Sequence, residues 1–411
     1  MINSFEVHAG WLNDPERIGI CYIERSRGNE VISFSFDEPW LVGHPGFIID
    51  PDITLSLGRQ YPPSDKPCFG FLSDTAPDRW GRKLMMRREA IEAKEQGRPR
   101  RTMMESDFIL GVNDTGRIGA LRYFDPENDA YLSDRSIMAA PPIEKLRDLE
   151  NASLQLENQK EEARWVKNLV DPGSSLGGAR PKANVMDEKG NLWIAKFPSK
   201  NDETDIGAWE MTVHELAVKC GLKVPEAKIM KLSAYGSTFL SKRFDRNKDA
   251  RIHFASAMTM LGQTDDSDED ISYVDIASII EEICIHPEED LRELWSRMVF
   301  NILISNTDDH LRNHGFILLE SGWSLSPGYD INPSVDKEEL ALAIMNSHEK
   351  DADEALEAAP FFRLTVEEAG VRLRKMRELI EKNWRYEASR FGISRAEQDH
   401  MAGAVNQRTA L

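Results

Sequence analysis

Three polar side chains in the C-terminal half of the chain have the types and the spacing that phosphoryl transfer requires. Asp308 precedes Asn313 by five positions, and a single aspartate, Asp330, follows a short strand-like segment. Phosphoryl transfer needs a carboxylate that orients or deprotonates the attacking hydroxyl, together with an amide and a second carboxylate that hold magnesium on the phosphates. Kinase loops space the base aspartate and the metal-binding asparagine in the same way. The pattern therefore predicts a site for ATP and Mg²⁺.

A helix, a loop and a hairpin are expected to position these groups. Apolar residues recur at steps of three and four from Leu291 to Leu303, which predicts a helix with one buried face. After the loop, the pattern becomes strand-like over 315–319 and 323–325. The loop spacing alone occurs often by chance, but this order of elements makes it more specific. A purely structural loop, whose carboxylates bond backbone amides, remains the alternative.

Two histidines in the same loop suggest a different chemistry. His310 and His314 are four positions apart and could share a helical face as zinc ligands. However, Leu311 stands where a zinc protease helix requires glutamate, and Gly315 ends the local helix. Metal-assisted hydrolysis is therefore disfavoured.

A segment rich in glycine and serine could contact a nucleotide. It spans 173–182, ends in Arg180 and Lys182, and precedes a predicted strand pair, 183–186 and 192–197. It matches neither a Walker A motif nor the usual kinase glycine-rich loop, and such loops are often linkers. Its position before a strand pair nevertheless favours a functional loop.

A lysine and a glutamate farther along could complete that site. Lys196 lies in an otherwise apolar strand, where an unpaired ammonium is costly, so it is predicted to meet an anion such as a nucleotide phosphate. An edge-strand lysine that reaches solvent is the alternative. Glu210 begins the next predicted helix and could pair with Lys196, as the helix-borne glutamate does in kinases. The helix dipole also favours a glutamate there.

Composition narrows the class of protein. The 411-residue chain carries a formal charge of −19, which disfavours direct binding of nucleic acid. Its four cysteines form no Cys-x-x-Cys pair, as expected in a reducing cytoplasm. No segment resembles a signal peptide or a membrane span. We expect a cytoplasmic protein that has no membrane partner.

Taken together, these motifs resemble those of HipA-type serine/threonine kinases, the toxin components of bacterial toxin–antitoxin pairs. The resemblance extends over nearly the whole chain. It rests on segments 70–74, 77–82, 175–182, 193–198, 241–246, 306–313 and 326–330.

The resemblance implies an α+β protein with a bilobal, protein-kinase-like fold. It implies a β-rich N-terminal subdomain over residues 1–130 and a kinase N-lobe with the phosphate loop over 131–245. An all-α C-terminal lobe over 246–411 would carry the catalytic loop and the metal-binding aspartate.

The resemblance also implies a role for each site residue. Asp308 would be the catalytic base, Asn313 and Asp330 the Mg²⁺ ligands, and Lys196 the lysine on the phosphates. The remaining nucleotide contacts would come from a hinge beside adenine and from the phosphate loop: Lys242, Arg243, Phe244, Ser175, Gly177, Gly178 and Lys182. Ser175 would also be the self-phosphorylation site that switches the enzyme off. Two residues depart from the family pattern, because Lys242 replaces a common acidic residue and Asp309 a small one.

Family partners are a protein substrate, for which aminoacyl-tRNA synthetases are examples, and a HipB-like antitoxin that carries the DNA-binding function. Two other functions stay open. The pattern Asp308-x-His310-x-x-Asn313 also resembles the loop of phosphoinositide kinases, although the acidic composition offers no basic membrane-facing patch. The second open function is that of a binding partner that has the kinase fold but no catalytic activity.

Overall fold

The protein is described by a computed structural model that covers residues 2–26, 28–133, 140–157, 169, 180–248, 250–265, 271–335 and 337–405. It divides into two compact units. Unit 1 comprises residues 1–197 and 243–265, and unit 2 comprises residues 198–242 and 266–411. The division into three segments proposed from the sequence stays a prediction. The predicted loop residues Ser175, Gly177 and Gly178 lie outside the described residues.

Strands and helices are numbered in chain order within the described residues. The strands are β1 (Ser4–Ala9), β2 (Glu16–Ser26), β3 (Asn29–Phe36), β4 (Arg59–Gln60), β5 (Leu121–Asp125), β6 (Ala130–Tyr131), β7 (Lys182–Met186), β8 (Leu192–Lys196), β9 (Ala227–Met230), β10 (Thr238–Lys242), β11 (Arg246–Asn247), β12 (Ala250–Arg251), β13 (His253–Ser256), β14 (Gly315–Leu319) and β15 (Gly322–Leu325). The α-helices are α1 (Glu38–Gly43), α2 (Gly70–Thr75), α3 (Arg79–Glu95), α4 (Glu105–Gly111), α5 (Leu146–Glu157), α6 (Ile206–Cys220), α7 (Ala257–Met260), α8 (Tyr273–Ile283), α9 (Pro287–Leu303), α10 (Ala352–Glu357), α11 (Val366–Arg390), α12 (Arg395–His400) and α13 (Ala402–Val405). Short 3₁₀ turns cover Ile143–Lys145, Leu311–Asn313 and Ala359–Phe362.

Unit 1 is built on an antiparallel sheet in the order β4-β3-β2-β1-β5-β6. Alternate residues of β1, Phe5, Val7 and Ala9, are buried, as the two-residue period of a strand requires. They contribute to one apolar core shared with β2, β3 and α2. This part of unit 1 is therefore β-rich, in agreement with the fold class that the resemblance implies.

Helix α3 begins with a side-chain cap. Asp78 is its N-cap, and Oδ1 of Asp78 accepts a 2.7 Å hydrogen bond from the Gly81 backbone N–H. This bond satisfies a donor that a helix start leaves free. Trp80 and Leu84 on the buried face then anchor the helix in unit 1.

Unit 2 is mostly helical. The stripe from Leu291 to Leu303 is buried along α9, which packs against α8, and α6 packs against α11. Ser394 caps α12, because its hydroxyl accepts from the Glu397 backbone N–H. The predicted hairpin is formed by β14 and β15. None of the helices in the described part of the chain is long and apolar enough to cross a membrane.

Candidate active site

The candidate catalytic loop begins directly after α9. Ser305 adopts a left-handed backbone with φ 52°, a conformation that commonly ends helices. The backbone N–H of Asn306 then donates to the Asn301 carbonyl at 2.9 Å, which turns the chain out of the helix. After the helix ends, the loop stays largely buried, with Asp308 as its exposed residue between Thr307 and Asp309.

Adjacent aspartates in this loop face opposite environments. The Asp308 side chain is 79% exposed, and its Oδ1 lies 3.6 Å from Nζ of Lys337. Asp309 is buried. The carboxylate predicted to be the base is thus the accessible one, whereas the extra carboxylate that departs from the family pattern is turned into the protein.

Asp309 is held inside unit 2 by two donors. Nε2 of His314 lies 2.8 Å from its Oδ2, and the Tyr273 hydroxyl donates to the same oxygen. Burial by itself raises the pKa of Asp309, but the charge and hydrogen bond of His314, together with the Tyr273 hydroxyl, outweigh it and lower the pKa. Asp309 is therefore an ionised carboxylate whose Oδ2 lies within hydrogen-bond distance of two side chains.

The two loop histidines do not act as a pair in this structure. His314 directs Nε2 to Asp309, as described above, so this nitrogen is not available as a zinc ligand. Among the residues that the structure describes, no three His, Cys, Asp or Glu side chains form a group suited to holding a metal. The zinc alternative gains no support.

Asn313 carries an unused oxygen next to Asp308. The side chain is 5% exposed, and its Nδ2 donates to the Asp308 carbonyl at 3.0 Å. Its Oδ1 is buried without a hydrogen-bond partner among the described residues. Buried polar atoms are rarely left unpaired, and a carboxamide oxygen is a normal ligand for hard cations. Asn313 therefore fits the predicted role of Mg²⁺ ligand.

Asp330 adopts an unusual backbone conformation close to the same loop. Its φ of 57° lies in the left-handed region, which costs energy for a non-glycine residue and is often found at functional sites. Nδ2 of Asn332 donates to its Oδ1 at 3.1 Å. The Tyr329 hydroxyl donates to the Arg312 carbonyl at 2.7 Å, so the residues that precede Asp330 and Asn313 are bonded to each other. The structure thus brings these two predicted ligands into one region.

Helix α9 positions the hairpin as well as the loop. Near its start, the Asp290 carboxylate accepts bonds from the Ser324 hydroxyl and the Leu325 backbone N–H, both at 3.0 Å. Two turns farther, buried Arg297 donates to the Ser326 carbonyl at 2.7 Å and to Glu293 at 2.8 Å. Because one helix holds both ends of the site, the catalytic loop and the Asp330 segment share a single support.

In unit 1, Lys182 and Lys196 face each other across the β7–β8 pair. Like charges directly opposite destabilise a sheet, and the Lys182 amine, 2% exposed, lies 2.9 Å from the Asp78 carboxylate, which neutralises it. Lys182 therefore has a structural partner inside unit 1. Glu210 is buried on α6 of unit 2, and its pairing with Lys196 stays a prediction.

The predicted adenine hinge, residues 242–244, uses much of its hydrogen-bonding capacity within the chain. The Lys242 N–H donates to the Glu226 carbonyl at 2.8 Å, and the Arg243 N–H to the Leu192 carbonyl at 2.9 Å. The Phe244 ring packs on Phe254 with ring centres 5.9 Å apart. The cofactor role of this segment stays a prediction.

The Arg243 side chain points into unit 1. Its guanidinium makes a two-bond contact with the Asp245 carboxylate and donates to the carbonyls of Gly116 and Arg117 and to Asn184. With its side chain and N–H engaged, Arg243 could contact a nucleotide only through its backbone carbonyl.

Sequence reasoning did not single out Tyr273, Asn301 or Asn332. Tyr273 and Asn301 stand behind the loop, and Asn332 orients Asp330. A weak signal existed for Asn332, because it follows the predicted metal ligand by two positions. Tyr273 lies 36 residues before its partner Asp309, so no local pattern could indicate it.

The fold is α+β, and the site has, in chain order, an exposed aspartate, a buried asparagine, a hairpin and an aspartate with a left-handed backbone. This combination indicates a kinase-like protein. Residues 174–388 match the family described as the HipA-like C-terminal domain. The chain belongs to this family, as its motifs predicted.

Known relatives agree with this assignment. Y4mE of Sinorhizobium fredii, whose name proposes a kinase, is 28% identical over 197 residues, which cover 46% of this chain and 45% of that protein. A Haemophilus influenzae protein, also named as a proposed kinase, is 26% identical over 219 residues, which cover 47% of this chain and 62% of that protein. The matches thus span less than two thirds of these relatives.

One solved structure resembles the chain over nearly its full length. It belongs to a complex of the Shewanella oneidensis toxin–antitoxin proteins HipA and HipB with operator DNA. The TM-score is 0.62 at 18% identity, and the alignment covers 98% of this chain and 95% of that chain. At this identity the likeness establishes the fold, and the predicted kinase-like fold class is confirmed.

Proposed function

We propose that this chain is a serine/threonine protein kinase that transfers the γ-phosphate of ATP to a protein hydroxyl in the presence of Mg²⁺. One observation carries the proposal: an exposed carboxylate on Asp308 lies in the same short loop as Oδ1 of Asn313, which is buried and has no partner in the described part of the chain. A group that must reach a protein hydroxyl has to be accessible, whereas a metal ligand has to be held in place.

Each proposed residue has a separate task. Asp308 accepts a hydrogen bond from the attacking hydroxyl and takes its proton. Asn313 and Asp330 would hold Mg²⁺, which when bound neutralises charge on the phosphates. Lys196 would contact a phosphate, with Glu210 as its partner, and the 242–244 segment would lie beside adenine. Asn332 keeps the Asp330 carboxylate oriented through its 3.1 Å bond.

We also propose regulation of the type found in toxin–antitoxin pairs. The related Shewanella protein occurs in a complex with HipB and operator DNA, and this supports a HipB-like partner here. With its charge of −19, the chain would reach DNA only through that partner. Ser175, outside the described residues, is the proposed self-phosphorylation site, where a dianionic phosphate would draw basic groups away from the nucleotide.

Incubation with labelled ATP and Mg²⁺, alone and with cell lysate, tests the proposal. Wild-type protein is expected to label itself and lysate proteins, an aminoacyl-tRNA synthetase being one candidate target. Asp308→Ala should abolish both signals, and Ser175→Ala only the self-labelling. Label in the lipid fraction would favour a lipid kinase, and failure to bind ATP with Mg²⁺ would indicate a silent binding partner.

Replacing Asn313 by alanine is expected to weaken metal-dependent nucleotide binding. Loss of a metal-binding oxygen should raise the Mg²⁺ concentration for half-maximal binding of a fluorescent ATP analogue by at least about 10-fold. The exposed Asn346 of unit 2 provides the control, and Asn346→Ala should leave the Mg²⁺ dependence unchanged. An unaltered dependence in Asn313→Ala would remove Asn313 from the metal site.

A further inference from the structure

A chain of buried polar side chains lies directly behind the candidate catalytic loop. We call this set the buried relay; its members, Tyr273, Asn301, Asn306, Asp309 and His314, are all at most 4% exposed. Nδ2 of Asn306 donates to Oδ1 of Asn301 at 3.2 Å, and Nδ2 of Asn301 donates to the Tyr273 oxygen at 3.1 Å. The Tyr273 hydroxyl then donates to Asp309. Three chain segments are thereby linked: α8, α9 and the loop.

The hydrogen bonds of the buried relay run from Asn306 through Asn301 and Tyr273 to the Asp309 carboxylate, which His314 contacts from the other side of the loop sequence. An ionised carboxylate can only accept, so both Tyr273 and His314 must present their hydrogens to it. The Tyr273 oxygen is in turn available to accept from Asn301. Such a network is rigid when it is complete, and it loses its orientation when its terminal acceptor is removed.

The buried relay borders both groups that the proposed chemistry uses. Asp309 directly follows Asp308, and His314 directly follows Asn313. Within the loop, Asn313 donates to the Asp308 carbonyl at 3.0 Å. With Asp309 and His314 bonded to each other at 2.8 Å, the backbone between them is closed into a short loop of set geometry. Asp308 directly precedes this closed segment, and Asn313 lies within it.

We propose that Asp309, anchored by Tyr273 and His314, is a positioning residue that sets the orientation of Asp308 and of the Asn313 oxygen for phosphoryl transfer. It touches neither substrate nor nucleotide in this role. The role rests on the kinase function proposed above. Asp309 would thus position the site, whereas Asp308 would act on the attacking hydroxyl.

Steady-state kinetics of full-length variants test this role. Asp309→Ala is expected to lower kcat by about 100-fold, as a displacement of about 1 Å in a catalytic group can do. Because the Asn313 oxygen is displaced as well, the Mg²⁺ concentration that gives half-maximal activity should rise in the same variant. Asp309→Asn should recover much of the rate, since a carboxamide oxygen can still accept from Tyr273 and His314. A merely structural residue would change the yield of folded enzyme but not kcat per folded molecule.

Tyr273→Phe is a second, milder variant that tests the same role if Asp309→Ala does not fold. It keeps the ring and removes only the hydroxyl, so it should reduce kcat by about 10-fold at full nucleotide-binding stoichiometry. Tyr386 is an exposed tyrosine of the same unit, and Tyr386→Phe should behave as wild type.

The outcomes separate the two proposals. An active wild type whose kcat is unchanged in Asp309→Ala and Tyr273→Phe would overturn the positioning role and leave the kinase function intact. A wild type that neither binds ATP with Mg²⁺ nor transfers phosphate would overturn the kinase function and, with it, this role.

Discussion

Replacing Asp308 by asparagine is expected to reduce phosphoryl transfer by about 10²–10⁴-fold, the range that general base catalysis supplies. The substitution keeps the size of the side chain and removes its ability to take a proton. Because the side chain is 79% exposed, neither folding nor nucleotide binding should suffer. Single-turnover transfer of labelled phosphate to Ser175 and to lysate proteins measures the rate, and calorimetric titration with ATP and Mg²⁺ measures binding.

Asp353 provides a matched control for Asp308. It is an exposed aspartate of unit 2 in the first turn of α10, and Asp353→Asn should retain the wild-type rate. A rate near wild type in Asp308→Asn would assign the base to another group. Loss of binding together with the rate would instead indicate that Asp308 holds the nucleotide complex.

Replacing Arg243 by leucine is expected to destabilise unit 1 by about 3 kcal/mol, the lower end of the cost of breaking a buried ion pair. The change leaves the buried Asp245 carboxylate and two backbone carbonyls without their main donor. Arg246 still bonds Asp245 at 2.7 Å, which limits the loss. Urea unfolding followed by circular dichroism measures it.

Acid unfolding gives a second readout for Arg243. Burial raises the pKa of Asp245, but the charges of Arg243 and Arg246 outweigh it and lower the pKa from 3.8 to about 2. Since the folded pKa is the lower one, the stabilisation is present above about pH 4 and lost as pH falls toward about 2. Arg243→Leu should flatten this dependence.

Arg100, an exposed arginine of unit 1, serves as the control for Arg243. Arg100→Leu should shift the free energy of unfolding by less than about 0.5 kcal/mol. An unfolding midpoint equal to that of wild type in Arg243→Leu would show that the Arg243 side chain does not stabilise unit 1.

The sequence by itself determined the elements around the site. The periodic stripe ending at Leu303 and the turn residues between β14 and β15 gave the helix and the hairpin, because local periodicity reflects which face is buried. The spacing of Asp308, Asn313 and Asp330 on those elements, with the motifs farther upstream, was enough to predict the family. These signals are contained in short segments, so they can be read without knowing the fold.

Only the tertiary structure decided which way the side chains turn. It separated Asp308 from Asp309, one exposed and one buried, and it directed the Arg243 guanidinium into unit 1. It also joined Asp309 to Tyr273, 36 residues earlier. These side-chain orientations depend on hydrogen bonds between segments that are distant in sequence. Such bonds stabilise one orientation only after packing has excluded water, which would otherwise be the competing partner.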